Sequence, residues 1–135
     1  MLHRFIFHSE DYWLPNHPYI LAHHFLIHGF HHAYPQDRYR IAFPLVLAYV
    51  FYTVFIFPPI KFLVWEEWQP AFFVGVAIGY TSYELVHFFS HHSHPKSGYF
   101  KSVKVYHMQH HYRHGTIGFG VSSKFWDVVF GTDIK

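Results

Sequence analysis

Sixteen of the 135 residues are histidines, and ten of these fall into four short groups whose spacing is typical of metal ligands. In chain order the groups read HRFIFH, HGFHH, HFFSH and HMQHH. Imidazole nitrogens bind zinc, copper, iron and nickel, so the ligand type predicts a metal site without selecting the metal. The ten candidate ligands are His3, His8, His28, His31, His32, His87, His91, His107, His110 and His111.

Helical geometry decides which of these histidines can share a metal ion. At about 3.6 residues per turn, the three histidines of HGFHH fall within an arc of about 100°, and those of HMQHH do the same. The two histidines of HFFSH lie one turn above each other. His3 and His8 are five residues apart and would diverge by about 140° on an α-helix. They therefore require a bend, a loop or two different metals.

The composition indicates a chain that buries much of its surface in lipid. Aromatic residues make up 24% of the chain and charged residues 13%, against about a quarter charged in typical soluble domains. The formal net charge of +2 gives no sign of nucleic-acid binding. The absence of cysteine excludes disulfides, thiolate zinc sites and a thiol nucleophile. The length suits one domain, residues 1–135, and its first residues do not resemble a cleavable signal peptide.

Two apolar segments predict a transmembrane hairpin. Residues 41–60 contain no charge and are long enough to span a bilayer as a helix, which Pro58-Pro59 should end. A connector over residues 61–70 carries tryptophans suited to the headgroup level. A second helix from residue 71 to about residue 89 begins apolar and turns polar, so it should leave the lipid and continue towards the histidines. The predicted fold class is all-α, with a histidine-rich helical cap on one face of the membrane.

A hairpin places both chain ends, and all four histidine groups, on the same side of the membrane. Nine of the ten basic residues belong to that side, and only Lys61 lies in the connector, opposite Glu66 and Glu67. This asymmetry predicts that the histidine side faces the cytosol, or the matrix in a mitochondrial membrane.

The hairpin also predicts that the histidine groups converge. HGFHH lies shortly before the first span and HFFSH ends the second, so the hairpin brings them together, and the other two groups can cover them from the aqueous side. Ten imidazoles plus a bridging water or oxygen species could fill two metal sites of five or six ligands each. An all-imidazole site with an exchangeable position fits a redox iron pair better than a closed structural zinc.

The remaining histidines have simpler interpretations. His17, His23, His24 and His92 are expected to be ordinary hydrogen-bonded core or interface residues. His94 and His114 flank the groups and are expected to orient ligands rather than to bind metal.

These motifs resemble the fatty acid hydroxylase and sterol desaturase superfamily, and most closely its fatty acid 2-hydroxylase branch. The resemblance runs over nearly the whole chain and includes HRFIFH, HGFHH, GYTSYELVHFFSH, KSVKVYHMQHH and GFGVSSKFWDVVFGT. It implies that the ten grouped histidines bind two metal ions, with iron expected and zinc possible in a purified protein. It also implies dioxygen-dependent hydroxylation of a fatty acyl or sphingolipid chain at C2, with electrons from cytochrome b5. The expected location is the endoplasmic reticulum membrane with the metals facing the cytosol.

Three further residues match family positions beside the site. Tyr80, Tyr83 and Glu84 share a helix face with His87, and an acidic residue in a membrane helix is usually functional. The resemblance implies that they act in catalysis, although Glu84 replaces the aspartate common in the family. Glu84 could contact the substrate or orient an imidazole.

The resemblance leaves other functions open. Family members carry a preceding transmembrane hairpin and often a cytochrome b5 module, which this sequence is expected to lack. A sterol or carotenoid hydroxylase is one alternative. The other is a non-catalytic metal-binding subunit of a larger membrane complex, which could lie in the mitochondrial inner membrane.

Overall fold

A computed structural model describes residues 2–135, and their regular secondary structure is entirely helical, as predicted. Three π-helical turns, His3–Phe7, Phe25–Gly29 and Tyr52–Ile56, interrupt or precede the α-helices, and Ser9–Asp11 and Glu66–Trp68 form 3-10 turns. The α-helices are α1 (Pro18–His24), α2 (Phe30–Ala33), α3 (Leu45–Phe51), α4 (Phe57–Leu63), α5 (Gln69–His92), α6 (Gly98–Tyr112) and α7 (Phe125–Phe130).

Two long apolar helices form the predicted hairpin. The first joins α3, a π-turn and α4 over Leu45–Leu63, and the second covers Glu66–His92; both are long and apolar enough to cross a membrane. Their mean hydropathies are 1.8 and 1.2, and only 6% of the most apolar stretch of each helix is buried within the protein. Large apolar side chains so exposed need lipid around them, which fits an integral membrane protein.

The prediction that Pro58-Pro59 ends the first span is wrong. The helix continues to Leu63, because both prolines lie in the first turn of α4, immediately after the π-turn Tyr52–Ile56. The fixed φ of proline suits the first turn of a helical segment, which is where α4 places both residues. The span also begins later than predicted, at Leu45 after Pro44. The connector is correspondingly short, and the second helix extends from Gln69 to His92.

The centre of the cap is polar rather than aliphatic. The cap comprises residues 2–44 and 93–135, which lie outside the hairpin, together with the His87–His92 end of α5. Within the described residues 2–135, the buried apolar residues of the cap are Ile41, Val103, Phe119 and Val121. The buried polar residues are mostly histidines, and His107 and His110 have no exposed surface. Burying polar groups without partners is unfavourable. An interior made of imidazoles therefore indicates that these rings can bind metal ions in common.

If the hairpin spans the membrane, a charged side chain should oppose insertion more strongly at the middle of a span than at its end. Val54, at the midpoint of the first span, is 55% exposed, and Leu63, at its end, is 75% exposed. Val54→Arg should oppose insertion by about 2.5–3.5 kcal/mol, whereas Leu63→Arg should have little effect because its side chain can reach the interface. The fraction of each variant retained in alkali-washed membranes measures this difference. Equal retention would contradict the assignment of this helix as a span.

Candidate metal centre

The first histidine group is a π-helical turn, which solves the spacing problem of His3 and His8. The backbone N–H of His8 donates to the carbonyl of His3 at 3.1 Å, the i to i+5 bond of a π-turn. This bend brings both imidazoles into the same group of side chains. Of the three alternatives left by the sequence, the structure shows the bend.

The second group begins within another π-turn, Phe25–Gly29, and continues into α2. Gly29 lies against the ring of Phe25, and a Cβ at this position would clash with that ring. The glycine therefore permits close packing just where the helix changes its periodicity. His28 in this turn and His32 in α2 point to one cluster of imidazoles, and His31 points to another.

All ten predicted ligands meet in two adjacent clusters. In each of the two sets below, ring nitrogens, one per residue, lie within 4.8 Å of one another. Cluster 1 consists of His31, His87, His91, His107 and His111. Cluster 2 contains His3, His8, His28 and His32. His110 completes it, because its Nε2 lies 3.1 Å from Nε2 of His8.

Within the clusters, Nε2 atoms face one another at distances from 2.9 Å, between His91 and His107, to 3.1 Å, between His31 and His111. Two imidazoles bound at about 2.1 Å and at a right angle would place their nitrogens about 3.0 Å apart, while a tetrahedral angle would give about 3.4 Å. The spacing therefore fits metal ions with five or six ligands. The five imidazoles of each cluster fit such an ion by donor type as well.

Hydrogen bonds at the other ring nitrogen fix the tautomer of two of the predicted ligands. His3 Nδ1 donates to the carbonyl of Phe119 at 2.6 Å, and His110 Nδ1 donates to that of Ile117 at 2.8 Å. A neutral imidazole protonated at Nδ1 presents a bare lone pair at Nε2. The Nε2 atoms of these rings, which face other Nε2 atoms in cluster 2, are thus oriented as metal ligands.

Burial also keeps eight of the ten clustered histidines neutral, as the lowered pKa of each one shows. Desolvation, with a smaller contribution from neighbouring imidazoles, lowers the pKa of His8 to about 2 and those of His31 and His32 to about 3. Desolvation likewise lowers the pKa of His3, His28, His107, His110 and His111. Neutral imidazole is the form that binds metal, so these rings are in the binding form at neutral pH.

An apolar cavity of about 930 Å³ lies between the hairpin and the cap. Its volume falls in the range of about 300–1,000 Å³ typical of ligand pockets. His3 lines it on the cluster 2 side, and Tyr80, Tyr83 and Glu84 line it on the α5 side. Within residues 2–135, Oε2 of Glu84 is buried without a hydrogen-bond partner.

The expected orienting residues are not the ones the structure uses. The side chains of His94 and His114 are exposed, and the carbonyls of Ile117 and Phe119 accept the Nδ1 protons instead. His24 is a buried, hydrogen-bonded residue, as expected, with its Nε2 3.2 Å from Glu10 Oε2.

The sequence predicts that the GFG stretch and Trp126-Asp127 pack as a lid or brace with no catalytic role, and in the structure Asp127 is 3% exposed.

Comparison with known proteins agrees with this site. A sequence model of the family described as fatty acid hydroxylase matches residues 1–132. The chain is 44% identical to the ceramide very long chain fatty acid hydroxylase SCS7 of Saccharomyces cerevisiae, over 97% of this chain and 33% of that protein. It is 38% identical to the dihydroceramide fatty acyl 2-hydroxylase FAH2 of Arabidopsis thaliana, over 97% of this chain and 53% of that one.

A solved structure of full-length Scs7p, in which only the hydroxylase domain is visible, has the same fold. The TM-score is 0.89 at 42% identity, covering 99% of this chain and 50% of that one. This chain therefore belongs to the fatty acid hydroxylase family. It spans about a third to a half of the length of the curated relatives it matches.

Proposed function

We propose that residues 1–135 form the catalytic domain of a di-metal, dioxygen-dependent lipid monooxygenase that hydroxylates a fatty acyl or sphingolipid chain at C2. The observation that carries this proposal is the position of two five-imidazole clusters beside an apolar cavity that runs along the membrane hairpin. The names of the relatives, a ceramide hydroxylase and a dihydroceramide 2-hydroxylase, support the choice of substrate and position.

The ten grouped histidines would hold the two metal ions, cluster 1 one ion and cluster 2 with His110 the other. Two iron ions with dioxygen would supply the oxidant that a strong C–H bond requires and that no side chain provides. The chain itself binds the acyl tail, excludes water and orients C2 towards the clusters. His3 links the two regions, since it belongs to cluster 2 and also lines the cavity.

The cavity residues would position the polar end of the substrate. We propose that Tyr80, Tyr83 and Glu84 are the catalytic residues beside the metals, because all three line the cavity and the ring of Tyr83 lies 6.1 Å from that of His87. The buried Oε2 of Glu84 can accept a hydrogen bond from a substrate N–H or O–H group.

Electrons would come from cytochrome b5, and other membrane subunits could join the assembly. The asymmetry of basic residues favours a cytosolic metal site, in the endoplasmic reticulum membrane.

Product analysis tests the proposed function directly. Expression in cells that lack 2-hydroxylated sphingolipids, together with a cytochrome b5 reductant, should produce 2-hydroxy acyl chains detectable by mass spectrometry. The His31→Ala variant serves as the inactive control. Hydroxylated sterol without hydroxylated acyl chain, or fixed incorporation into a larger complex without turnover, would overturn the proposal.

Filling the cavity should block turnover without removing metal. Ala77 lines the cavity, whereas Ala71, on the same helix, does not. Ala77→Phe should therefore lower 2-hydroxylation at least about tenfold, since a large side chain in a packed site excludes the substrate or strains its surroundings. Ala71→Phe should retain activity, and both variants should keep their metal content. Equal activity of the two would exclude this cavity as the acyl site.

Removing the charge of Glu84 should weaken the reaction selectively. Glu84→Gln should lower turnover about 10- to 100-fold, the range expected for the loss of a hydrogen bond to a charged group. Metal content measured by elemental analysis should not change, because Glu84 belongs to neither cluster. Unchanged turnover would remove Glu84 from the catalytic residues, and a loss of metal would make it a support of the imidazoles.

A further inference from the structure

The carboxylate of Asp127, at the start of α7, joins three parts of the cap. Its oxygens accept hydrogen bonds from the backbone N–H of Phe119 at 3.0 Å and of Gly120 at 2.7 Å. They also accept from the hydroxyl of Tyr106 on α6 at 3.1 Å and from that of Thr132 in the C-terminal segment at 2.8 Å. Four donors around one buried carboxylate are characteristic of a fixed structural link.

Asp127 holds the loop of residues 117–120, and the same loop orients two imidazoles of cluster 2. Phe119 donates its N–H to Asp127 and offers its carbonyl to Nδ1 of His3, so one residue connects the carboxylate to a ligand. Two residues earlier, the carbonyl of Ile117 accepts from Nδ1 of His110. A displacement of this loop would therefore rotate both rings.

Within the part of the chain that the structure describes, no backbone carbonyl gives cluster 1 equivalent support. Within residues 2–135, its members with a buried and unpartnered Nδ1 are His31, His91, His107 and His111. The two backbone carbonyls that accept hydrogen bonds from Nδ1 of clustered histidines, those of Ile117 and Phe119, thus both orient rings of cluster 2.

Glycines allow the loop to approach the carboxylate. A Cβ at Gly120 would lie 2.8 Å from Oδ2 of Asp127 and would clash with the carbonyl oxygen of Ser123. Gly118 adopts a left-handed conformation with φ of +74°, which other residues rarely adopt. The GFG motif therefore has a physical role in bringing the Phe119 amide to Asp127.

We propose that Asp127 is a positioning residue that orients His3 and His110 through the 117–120 loop and so retains the metal of cluster 2 in preference to that of cluster 1. This inference rests on the proposed di-metal site. Supports of this kind change metal affinity by about 10- to 100-fold. In Asp127→Asn, an amide NH2 group replaces one of the two acceptor oxygens and faces hydrogen-bond donors that it cannot satisfy. The substitution should therefore loosen the loop while keeping the size of the side chain.

The test measures metal release from the full chain in detergent, loaded with two zinc ions and challenged with a chromogenic chelator. In Asp127→Asn, one ion should leave about 10- to 100-fold faster than from the unmodified protein, and the other should leave at the unmodified rate. Asp133→Asn is the matched control, because Oδ1 of Asp133, 3.2 Å from the Tyr106 hydroxyl, shares the single proton of that group with Asp127 but has, within residues 2–135, no hydrogen bond to the loop. It should release both ions at the unmodified rate.

Combination with ligand variants identifies the ion that is lost. His111→Ala, in cluster 1, combined with Asp127→Asn should lose both ions quickly, whereas His3→Ala combined with Asp127→Asn should still retain the cluster 1 ion. Equal acceleration of both ions in Asp127→Asn would show a merely structural role and overturn the inference.

If Asp127→Asn does not fold, Thr132→Val removes one of the donors to Asp127 and should give the same selective release with smaller magnitude. Release of both ions at the unmodified rate would refute the link. An unmodified protein that binds fewer than two zinc ions would instead contradict the proposed function.

Discussion

The His31→Ala and His110→Ala variants should each retain about one of the two metal ions that the unmodified protein holds. His31 belongs to cluster 1 and His110 faces His8 in cluster 2, and these two ligands are 2% and 0% exposed, respectively. Removal of a buried ligand also leaves a cavity among polar rings. Because a site formed only on folding contributes its binding energy to folding, on the order of 10 kcal/mol for structural zinc, both variants should unfold at clearly lower temperature.

Two exposed histidines provide the matched controls. His17 and His23 lie on the surface, outside both clusters, and their replacement by alanine should change neither the metal content nor the melting temperature. Elemental analysis of the four variants after a mild chelator wash makes the comparison. A histidine-rich surface that bound metal nonspecifically would lose a little at every position, and equal losses at all four would refute the ligand assignment.

Acidification should release the metals and destabilise the cap between about pH 6.5 and pH 3. Burial lowers the pKa of His8 to about 2 and those of His31 and His32 to about 3. As the pH falls below about 6.5, the unfolded chain takes up protons at these rings and the folded chain does not. The stability they confer is therefore complete above pH 6.5 and declines as the pH falls towards 3, by at most about 1.4 kcal/mol per pH unit for each ring.

Metal-bound rings strengthen this dependence, because protons compete with metal for the same nitrogens. Thermal unfolding of the loaded protein, followed with metal release from pH 8 to pH 4, measures the effect. The His17→Ala and His23→Ala variants should follow the same profile as the unmodified protein, since neither residue is in a cluster. A stability that stays constant between pH 7 and pH 5 would show that the clustered rings are not held neutral.

The sequence was sufficient for the features that depend on local spacing and on total hydrophobicity. The all-α fold, the membrane hairpin and the family were predicted from it, and the structure and the comparisons confirm them. A span is determined by the length and apolarity of one segment, and ligand groups such as HGFHH are recognisable because helical periodicity is short-range. The ten histidines predicted as ligands do come together in the folded chain.

The tertiary structure decided how those histidines are divided. On a regular helix, His28, His31 and His32 fall on one face, yet the structure assigns His31 to cluster 1 and the other two to cluster 2. His110 likewise separates from its neighbours and faces His8, 102 positions earlier in the chain. This division depends on where four distant segments cross, which spacing within one segment cannot specify.

Helix irregularities were also beyond the sequence pattern. The π-turn that aligns His3 with His8, and the one that carries the first span past Pro58 and Pro59, each add a residue to a turn. Such turns form where tertiary packing compensates for the weaker local geometry, so periodicity rules based on the α-helix miss them.

The contacts around the ligands were decided last, by packing between elements far apart in sequence. The carbonyl of Phe119 accepts a hydrogen bond from His3 across 116 positions, and Asp127 holds Phe119 in place through its N–H. A backbone carbonyl has the same chemistry at every residue, so no residue type in the sequence marks the one that will orient a ligand. Only the folded chain, by burying that carbonyl beside His3 and away from water, gives it this role.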